Sequence, residues 1–497
     1  MKKIITALII LSTGMLTAQN LSEAVRYSFL NQNSTARVSG VAGAFGAMGG
    51  DIGVIPINPA GLGDFRKSEL LFTPTMHSIE TTALINGTDT PITTDLNSNL
   101  GLASIGVVFS GSPRGERFQT SNLAITINKR DTYRQRYAYE GMTRGSITTR
   151  FAEVANGNPP ESLDEFEGGL AFDTGAIYDF DNDNFYDTDF KPTTVVRKGQ
   201  EVVKYGRMNE INLAWGAKLK DNINVGLGIG IPIVGYEEIK VYQEVDEEED
   251  YIPDFNSLSY TENLITSGVG INLRGGVQGL VADIIRVGVS VQSPTWMTLT
   301  DDFDASLTYS YTNPSTQQVQ SFTSDSPSGR FKYSLTTPWK ATGSVGAIIK
   351  SESLKGFVNL DVEYLDYTTT LFDFGKFDGS DVDVERGQEV NDQIFGELNN
   401  AVNIRLGGEV AYNKLRGRAG LALVTSPYAI QSDKDVAFSV GFGCRFDSVY
   451  FDLGWSQRRQ TEGYLPYVVI ENDDNQVVTL DQKVSNIDLT VGFKFGS

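Results

Sequence analysis

The chain predicts an all-β membrane protein: an antiparallel up-and-down transmembrane β-barrel of about 14 strands, its lumen plugged by a small N-terminal hatch of short helices and a glycine-rich loop. Three observations predict it. From residue 68 to the C-terminus, segments of roughly ten residues alternate apolar and polar side chains. No later segment has the ~18 consecutive apolar residues a membrane helix needs, and mean hydropathy is only −0.19. The polar intervals between segments are very unequal, as expected where long loops face outside and tight turns face the periplasm.

The N-terminus comes first. Lys2 and Lys3 precede a short apolar run at 4–11, and Ala18 precedes Gln19. This is the pattern of a secretory signal peptide over residues 1–18. "NLSEAVRYSFL" then predicts a short helix, with Asn20 as its cap and Glu23 completing a capping box. Residues 19–67 are expected to form the hatch. Its centre, "VAGAFGAMGGDIGVIPINPAGLG" at 41–63, is nearly uncharged and rich in glycine. Small residues suit a chain with close backbone contacts, and Pro59 holds Asn58 extended.

The barrel is expected over 68–497. Five segments alternate clearly. In "NINVGLGIGI", Ile223, Val225, Leu227, Ile229 and Ile231 oppose Asn and Gly. "RVGVSVQ", "DVAFSVGFGCRF", "SVYFDLGWSQ" and "NIDLTVGFKFG" repeat the pattern. Weaker versions lie near 68–79, 100–109, 121–130, 208–219, 267–275, 341–350, 356–367, 400–411 and 416–425. A soluble sandwich would also alternate. Strand length, a second face of Gly and Ser, and strand-end aromatics (Phe109, Tyr236, Tyr364, Tyr367, Tyr412, Tyr464) favour a barrel with aromatic girdles. A closed wall also leaves no sheet edge. Long polar stretches at 131–207, 237–262, 300–335 and 370–399 are expected as extracellular loops, with acidic runs at 179–189, 244–250 and 378–385.

Composition narrows the chemistry. Net charge is −21, or −23 without Lys2 and Lys3, which disfavours nucleic acid as a partner. One Cys and one His cannot build the usual zinc sites. His77 stands in the first strand without a G-x-S-x-G elbow anywhere, so the chain is not expected to be an enzyme. The glycine run lacks both the dinucleotide spacing and a Gly-Lys-Ser/Thr end, so no cofactor is expected. Asp179, Asp181 and Asp183 begin like a calcium loop, but Asn184 and Phe190 stand where Gly and Glu belong, leaving a weak metal candidate. Hatch residues Phe29, Phe45, Met48 and Ile55 are candidates to line a ligand path, and plug packing is the competing role. Gly46, Gly49, Gly50 and Gly53 are candidate flexible joints.

Together, residues 35–63, "SELLFTP" after them, and Asn58-Pro59-Ala60 resemble the N-terminal signature of the FadL/TodX family. "TPWKATGSVGAI", "GFVNLDVEYLDYTT", "YFDLGWSQRRQTEGYLPY" and "SNIDLTVGFKF" are similar to that family's later strands. The chain departs from many outer-membrane barrels in ending Phe-Gly-Ser. The resemblance implies a plugged 14-stranded barrel in the outer membrane of a Gram-negative bacterium. It implies passive uptake of hydrophobic molecules such as long-chain fatty acids, with capture in the barrel and lateral release into the membrane. The expected partners are a hydrophobic or lipid ligand and outer-membrane lipid, on a monomer. The alternative is a docking or secretion component that engages a protein through the acidic loops.

Overall fold

The computed structural model describes residues 14–28, 34–87, 92–93, 96–113, 117–219, 222–246, 252–377, 379–429, 434–470 and 475–496. Within them the chain closes a 14-stranded antiparallel barrel. The strands in order are β1 (Ser68–Ile85), β2 (Asn97–Gly111), β3 (Phe118–Thr132 continued by Gln135–Arg144), β4 (Val195–Leu219), β5 (Ile223–Val245), β6 (Phe255–Leu280) and β7 (Ile285–Gln292 continued by Trp296–Asn313). They are followed by β8 (Lys340–Lys350, preceded in the same wall by Gln318–Asp325 and Gly329–Thr336), β9 (Leu354–Asp366), β10 (Asn400–Tyr412), β11 (Leu415–Thr425), β12 (Lys434–Arg445), β13 (Val449–Tyr464) and β14 (Val478–Phe495). Each pairs with its neighbour, and β14 pairs with β1 from Ser68↔Phe495 to Ile85↔Val478, so the wall has no free edge there. Among the described residues no helix is long and apolar enough to cross a membrane.

Each of the fourteen alternating segments coincides, to within one residue at its ends, with part of one of these strands. The reason is visible in burial. On β1, Glu69, Leu71, Thr73, Thr75 and His77 are buried while Leu70, Phe72 and Met76 are exposed. The same holds for Val287, Val289 and Val291 on β7 and for Val436, Phe438, Val440 and Phe442 on β12, all exposed. Apolar groups facing out with polar groups facing in is the arrangement a lipid surround demands.

Three expectations are corrected. Much of the sequence expected as loop at 131–207, 237–262 and 300–335 is strand, because β3 to β8 run far past the membrane-length segments. Of the expected girdle, Phe109, Tyr364 and Tyr412 are exposed, but Tyr236 and Tyr367 are buried on the inner face, and Tyr464 meets Tyr137 and Tyr139 edge-on. Asn20 does not begin a helix: α1 runs Gly14–Ser28, since residues 14–18 are themselves compatible with helix and continue it.

Beyond the membrane-length segments, the chain at 145–194 folds back over one barrel mouth. Helices α3 (Ile147–Ala155) and α4 (Gly168–Thr174) pack Phe151, Leu170 and Ala171 against inward-facing Tyr242, Leu258, Tyr260, Leu307 and Tyr309. A further helix, α5 (Asp381–Glu397), starts at a Ser380–Asp383 capping box and buries Val390 and Ile394. The opposite mouth has only short connections, such as 351–353 and 446–448.

Candidate functional site in the barrel lumen

Residues 34–67 lie against the inner wall near the short-turn mouth. Small helical turns follow one another, each with its own cap. Thr35 caps α2 (Ala36–Ser39), Asp51 accepts from Gly53 N–H before a 3-10 turn, and Asn58 caps the 3-10 helix Pro59–Asp64. Asn58-Pro59-Ala60 thus has a local physical role. Asn58 Oδ1 accepts from Ala60 N–H (3.1 Å), Pro59 occupies the first turn where no N–H is needed, and Asn58 Nδ2 donates to Gly46 O (2.8 Å). One side chain therefore ties two ends of the glycine stretch together.

The wall holds this segment by hydrogen bonds to its backbone. Asp361 on β9 accepts from Phe45 and Gly46 N–H (2.9 and 3.0 Å). Ser290 Oγ donates to Ile57 O, Asn122 Nδ2 to Leu62 O and Thr120 Oγ1 to Gly63 O. Arg37 makes a two-pronged pair with Glu409, both contacts at 2.9 Å. Such partners matter because an unpaired buried backbone group is costly.

The lumen-facing glycines explain the fit. A side chain on Gly226 would collide with Pro59 and Ala60 backbone, one on Gly276 with Asn58, and one on Gly420 with Val41 and Ala42. Within the plug, Gly46 abuts Ser344 and Asp361, Gly49 abuts Asp64 and Gly61, and Gly53 abuts Ser34 and Thr35. Only Gly50 of the four candidate joints has a positive φ (+72°) and open space around it. Of the candidate ligand-lining residues, Phe45 and Met48 pack with Val38, Val54, Ile57 and Phe357, and Ile55 packs with Leu62, Phe65 and Val108. Phe29 lies outside the described residues. His77 faces the lumen, its Nδ1 2.8 Å from Asn486 Oδ1. In the outer cap, Asp179 and Asp183 accept from amides of their own loop, and among the described residues no group of three His, Cys, Asp or Glu side chains could hold a metal.

Above the plug the lumen changes character twice. The first layer is ionic: Arg130 and Arg274 meet Glu210 (3.5 and 2.5 Å), and Lys340 and Arg405 meet Glu363 (3.6 and 2.9 Å). Four cations thus face two carboxylates, all nearly inaccessible. Among the described residues, Lys340 Nζ and Arg130 Nη2 have no hydrogen-bond acceptor. Buried charge without full compensation is expensive and commonly marks function.

The second layer is an apolar chamber. Met208, Val234, Tyr236, Leu264, Met297, Leu299, Tyr333 and Leu335 line it from the wall, with Phe372, Phe374 and α5 above. Helix α1 fills it with Leu21, Ala24 and Tyr27. Arg26 sits 3.9 Å over the Tyr236 ring, and Tyr27 meets Tyr133 edge-on at 6.3 Å. The layers adjoin: a small crevice between them is lined by Ser28 of α1, Leu365 and Tyr367 of the chamber, and Lys340, Glu363 and Arg405. Sequence reasoning missed both layers. Their residues are scattered over eight strands, β3 to β10, and no local pattern marks them.

The wall beside the chamber is split. The β2–β3 ladder runs from Gly111↔Ser121 only to Ser104↔Asn128. Beyond it, β2 residues 97–102 pair with β1 alone, and β3 shifts register between Lys129 and Asp131 while pairing with β4. Further on, β3 bends inward, so that Gln135 donates to Thr81 on β1 (3.1 Å), and Tyr137 and Tyr139 pack with Ala83 and Ile85. Opposite this bend Gly206 takes φ +117°, where a side chain would strike Gly235 and Tyr236 backbone. The slot between residues 97–103 and 129–133 ends at Tyr133, itself part of the chamber.

No family model matches the sequence, and no curated protein matches it. Solved structures do. A Pseudomonas aeruginosa FadL homologue superposes with TM-score 0.53 at 11% identity, covering 94% of this chain and 100% of its own. The Pseudomonas putida toluene transporter TodX superposes with TM-score 0.50 at 9% identity, again covering 94% and 100%. Over nearly its whole length, therefore, the chain shares the barrel fold of the FadL homologue and TodX.

Proposed function

We propose that this protein is a passive outer-membrane transporter for an amphiphile with an apolar tail and a carboxylate head, of the long-chain fatty-acid kind. The observation that carries the reading is the stacking of an apolar chamber directly on a buried layer with two more cations than carboxylates. A hydrocarbon would need only the chamber. A carboxylate can accept from Lys340 Nζ and from Arg130 Nε and Nη2, which have no hydrogen-bond acceptor among the described residues. An apolar tail gains from a path that never returns it to water. The likeness to barrels described as a FadL homologue and a toluene transporter fits the same class of cargo.

The path enters from the long-loop mouth, passes the chamber, and leaves sideways through the β2–β3 slot into the bilayer. Helix α1 fills the chamber and must yield to cargo, and the plug bars the direct route to the periplasm. Removal of residues 1–18 as a signal peptide leaves Leu21, Ala24 and Tyr27 in place to fill it. The slot gives the test. If the ladder continued, Ala103 would face Lys129. In a Cys444→Ser background, Ala103→Cys with Lys129→Cys should form a disulfide that zips the slot. Labelled oleate uptake should then fall about tenfold and recover with reductant. Full uptake through a zipped slot would refute lateral release. In the open-slot protein, Lys340→Met should reduce uptake of oleate more than that of a hydrocarbon. Equal effects would refute carboxylate recognition.

A further inference from the structure

At the short-turn mouth, away from the chamber, the barrel holds a solvent-open cavity of about 420 Å³. Arg37 and Asp51 of the plug line it together with Glu69, Lys355, Glu409, Arg416, Arg445 and Lys494 of the wall. It therefore carries five cations and three carboxylates, on a chain whose net charge is −21. We propose that this cavity is an oxyanion-binding site on the periplasmic face, taking a phosphate or carboxylate group.

The carboxylates present do not exhaust the cations. Glu409 is engaged by Arg37 and Arg418, Asp51 by Thr35 and Gly53, and Glu69 by the Tyr450 hydroxyl. Arg445 pairs with Asp452 at 2.7 Å, with its guanidinium carbon 4.2 Å over the Tyr450 ring, but among the described residues its buried Nη1 has no acceptor. Lys355 and Lys494 form no salt bridge among the described residues. Arg416 spends one guanidinium nitrogen on the carbonyls of Asn413 and Leu415, which holds the group in place. A cavity of this size, walled by five cations, concentrates small anions that the rest of an acidic surface repels. Planar guanidinium groups match oxyanions two hydrogen bonds at a time. The plug supplies Arg37, so an occupant would touch both plug and wall.

The test uses the whole protein in nanodiscs with zwitterionic lipid, and inorganic phosphate and acetate as probes in calorimetric titrations. Saturable phosphate binding, displaced by acetate, is the expected result. The pair Lys355→Gln with Lys494→Gln should weaken it about tenfold, whereas Lys350→Gln, outside the cavity, should not. Repeating the titration in phosphatidylglycerol nanodiscs separates sources. Blocked phosphate binding identifies a lipid headgroup as the occupant, and unchanged binding identifies a free anion; either supports the site. Absence of saturable binding by both probes, or equal binding by the paired variant, would overturn it.

Discussion

The two halves of the lumen are filled by the same N-terminal stretch in different ways. Residues 34–67 meet the wall largely through backbone: glycine against backbone at Gly226, Gly288, Gly407 and Gly420, main-chain N–H groups donating to Asp361, and Ser290 and Asn122 donating to main-chain carbonyls. Helix α1 meets the chamber through side chains: an arginine over Tyr236, an edge-on tyrosine pair, and one long contact from Tyr333 to Glu23 at 3.3 Å. Backbone contacts without side-chain freedom fix a single position. Aromatic and methionine surfaces tolerate many occupants. Under the proposed function, the difference makes the plug the fixed part of the lumen filling and α1 the exchangeable one.

The largest expected effect follows from the plug side. Gly226→Leu places a branched side chain where Pro59 and Ala60 backbone lies, and neither can move as a flexible side chain would. The barrel should still form, visible as heat-modifiable mobility on gels, with the plug displaced. Susceptibility of cells to a large polar antibiotic should rise several-fold, since the short-turn half of the lumen is no longer filled and α1, on the same N-terminal stretch, is drawn from the chamber with it. Unchanged susceptibility with a folded barrel would show that the plug repacks, and the contrast with α1 would fail.

A smaller effect is expected at the chamber. Tyr236→Ala removes the cation–π contact to Arg26 and the edge contact to Tyr133. Such contacts are worth ~1–2 kcal/mol together, which is roughly 5- to 30-fold in the balance between seated and unseated α1. A spin label at Ser22 should become more mobile, and initial oleate uptake should rise several-fold. Greater mobility with lower uptake would mean that α1 guides cargo and does not block it.

These two regions also differ in how far the sequence exposes them. The lipid-facing alternation identifies all fourteen strands because one face is apolar for a reason that holds along each strand. The chamber is hidden by a change of face. On β7, Val287, Val289 and Val291 point to lipid, yet Met297 and Leu299, which keep the same odd numbering, point inward. Between them Ser293-Pro294-Thr295 interrupts the strand, with Ser293 and Leu273 exchanging bonds across it. On β8 the interruption at Thr337-Pro338-Trp339 lies alongside, with Thr337 N–H donating to Thr295 O, and Tyr333 and Leu335 point inward while Val345 faces out. Period 2 continues through both breaks while its meaning inverts, so sequence pattern alone assigns the upper strands to polar loops. Asn58 was legible as a motif, but its bond to Gly46 required the fold. The ionic layer gave no local signal, because each strand contributes only one or two of its charges.

The smallest expected effect lies in the outer cap, which belongs to neither half. Glu167, at the start of α4, is 3.2 Å from Arg150 and only 17% exposed. Burial pushes its carboxyl up to about 7, with Asp164 and Glu262 adding to the rise and Arg150 opposing it. A carboxyl whose folded-state value lies above its ordinary value near 4.5 holds its proton more tightly in the folded cap. Its contribution to cap stability is complete below pH 4.5 and is lost as pH rises through about 7. Partial exposure screens the effect. Limited proteolysis within 156–167 should be ~3–10-fold slower at pH 5 than at pH 8. Glu167→Gln, which stays neutral, should give the slower rate at both values. Plug proteolysis should not follow this pH course, since Glu167 touches only the cap. A Gln variant that keeps the pH dependence would transfer the effect to another group and separate the cap from Glu167.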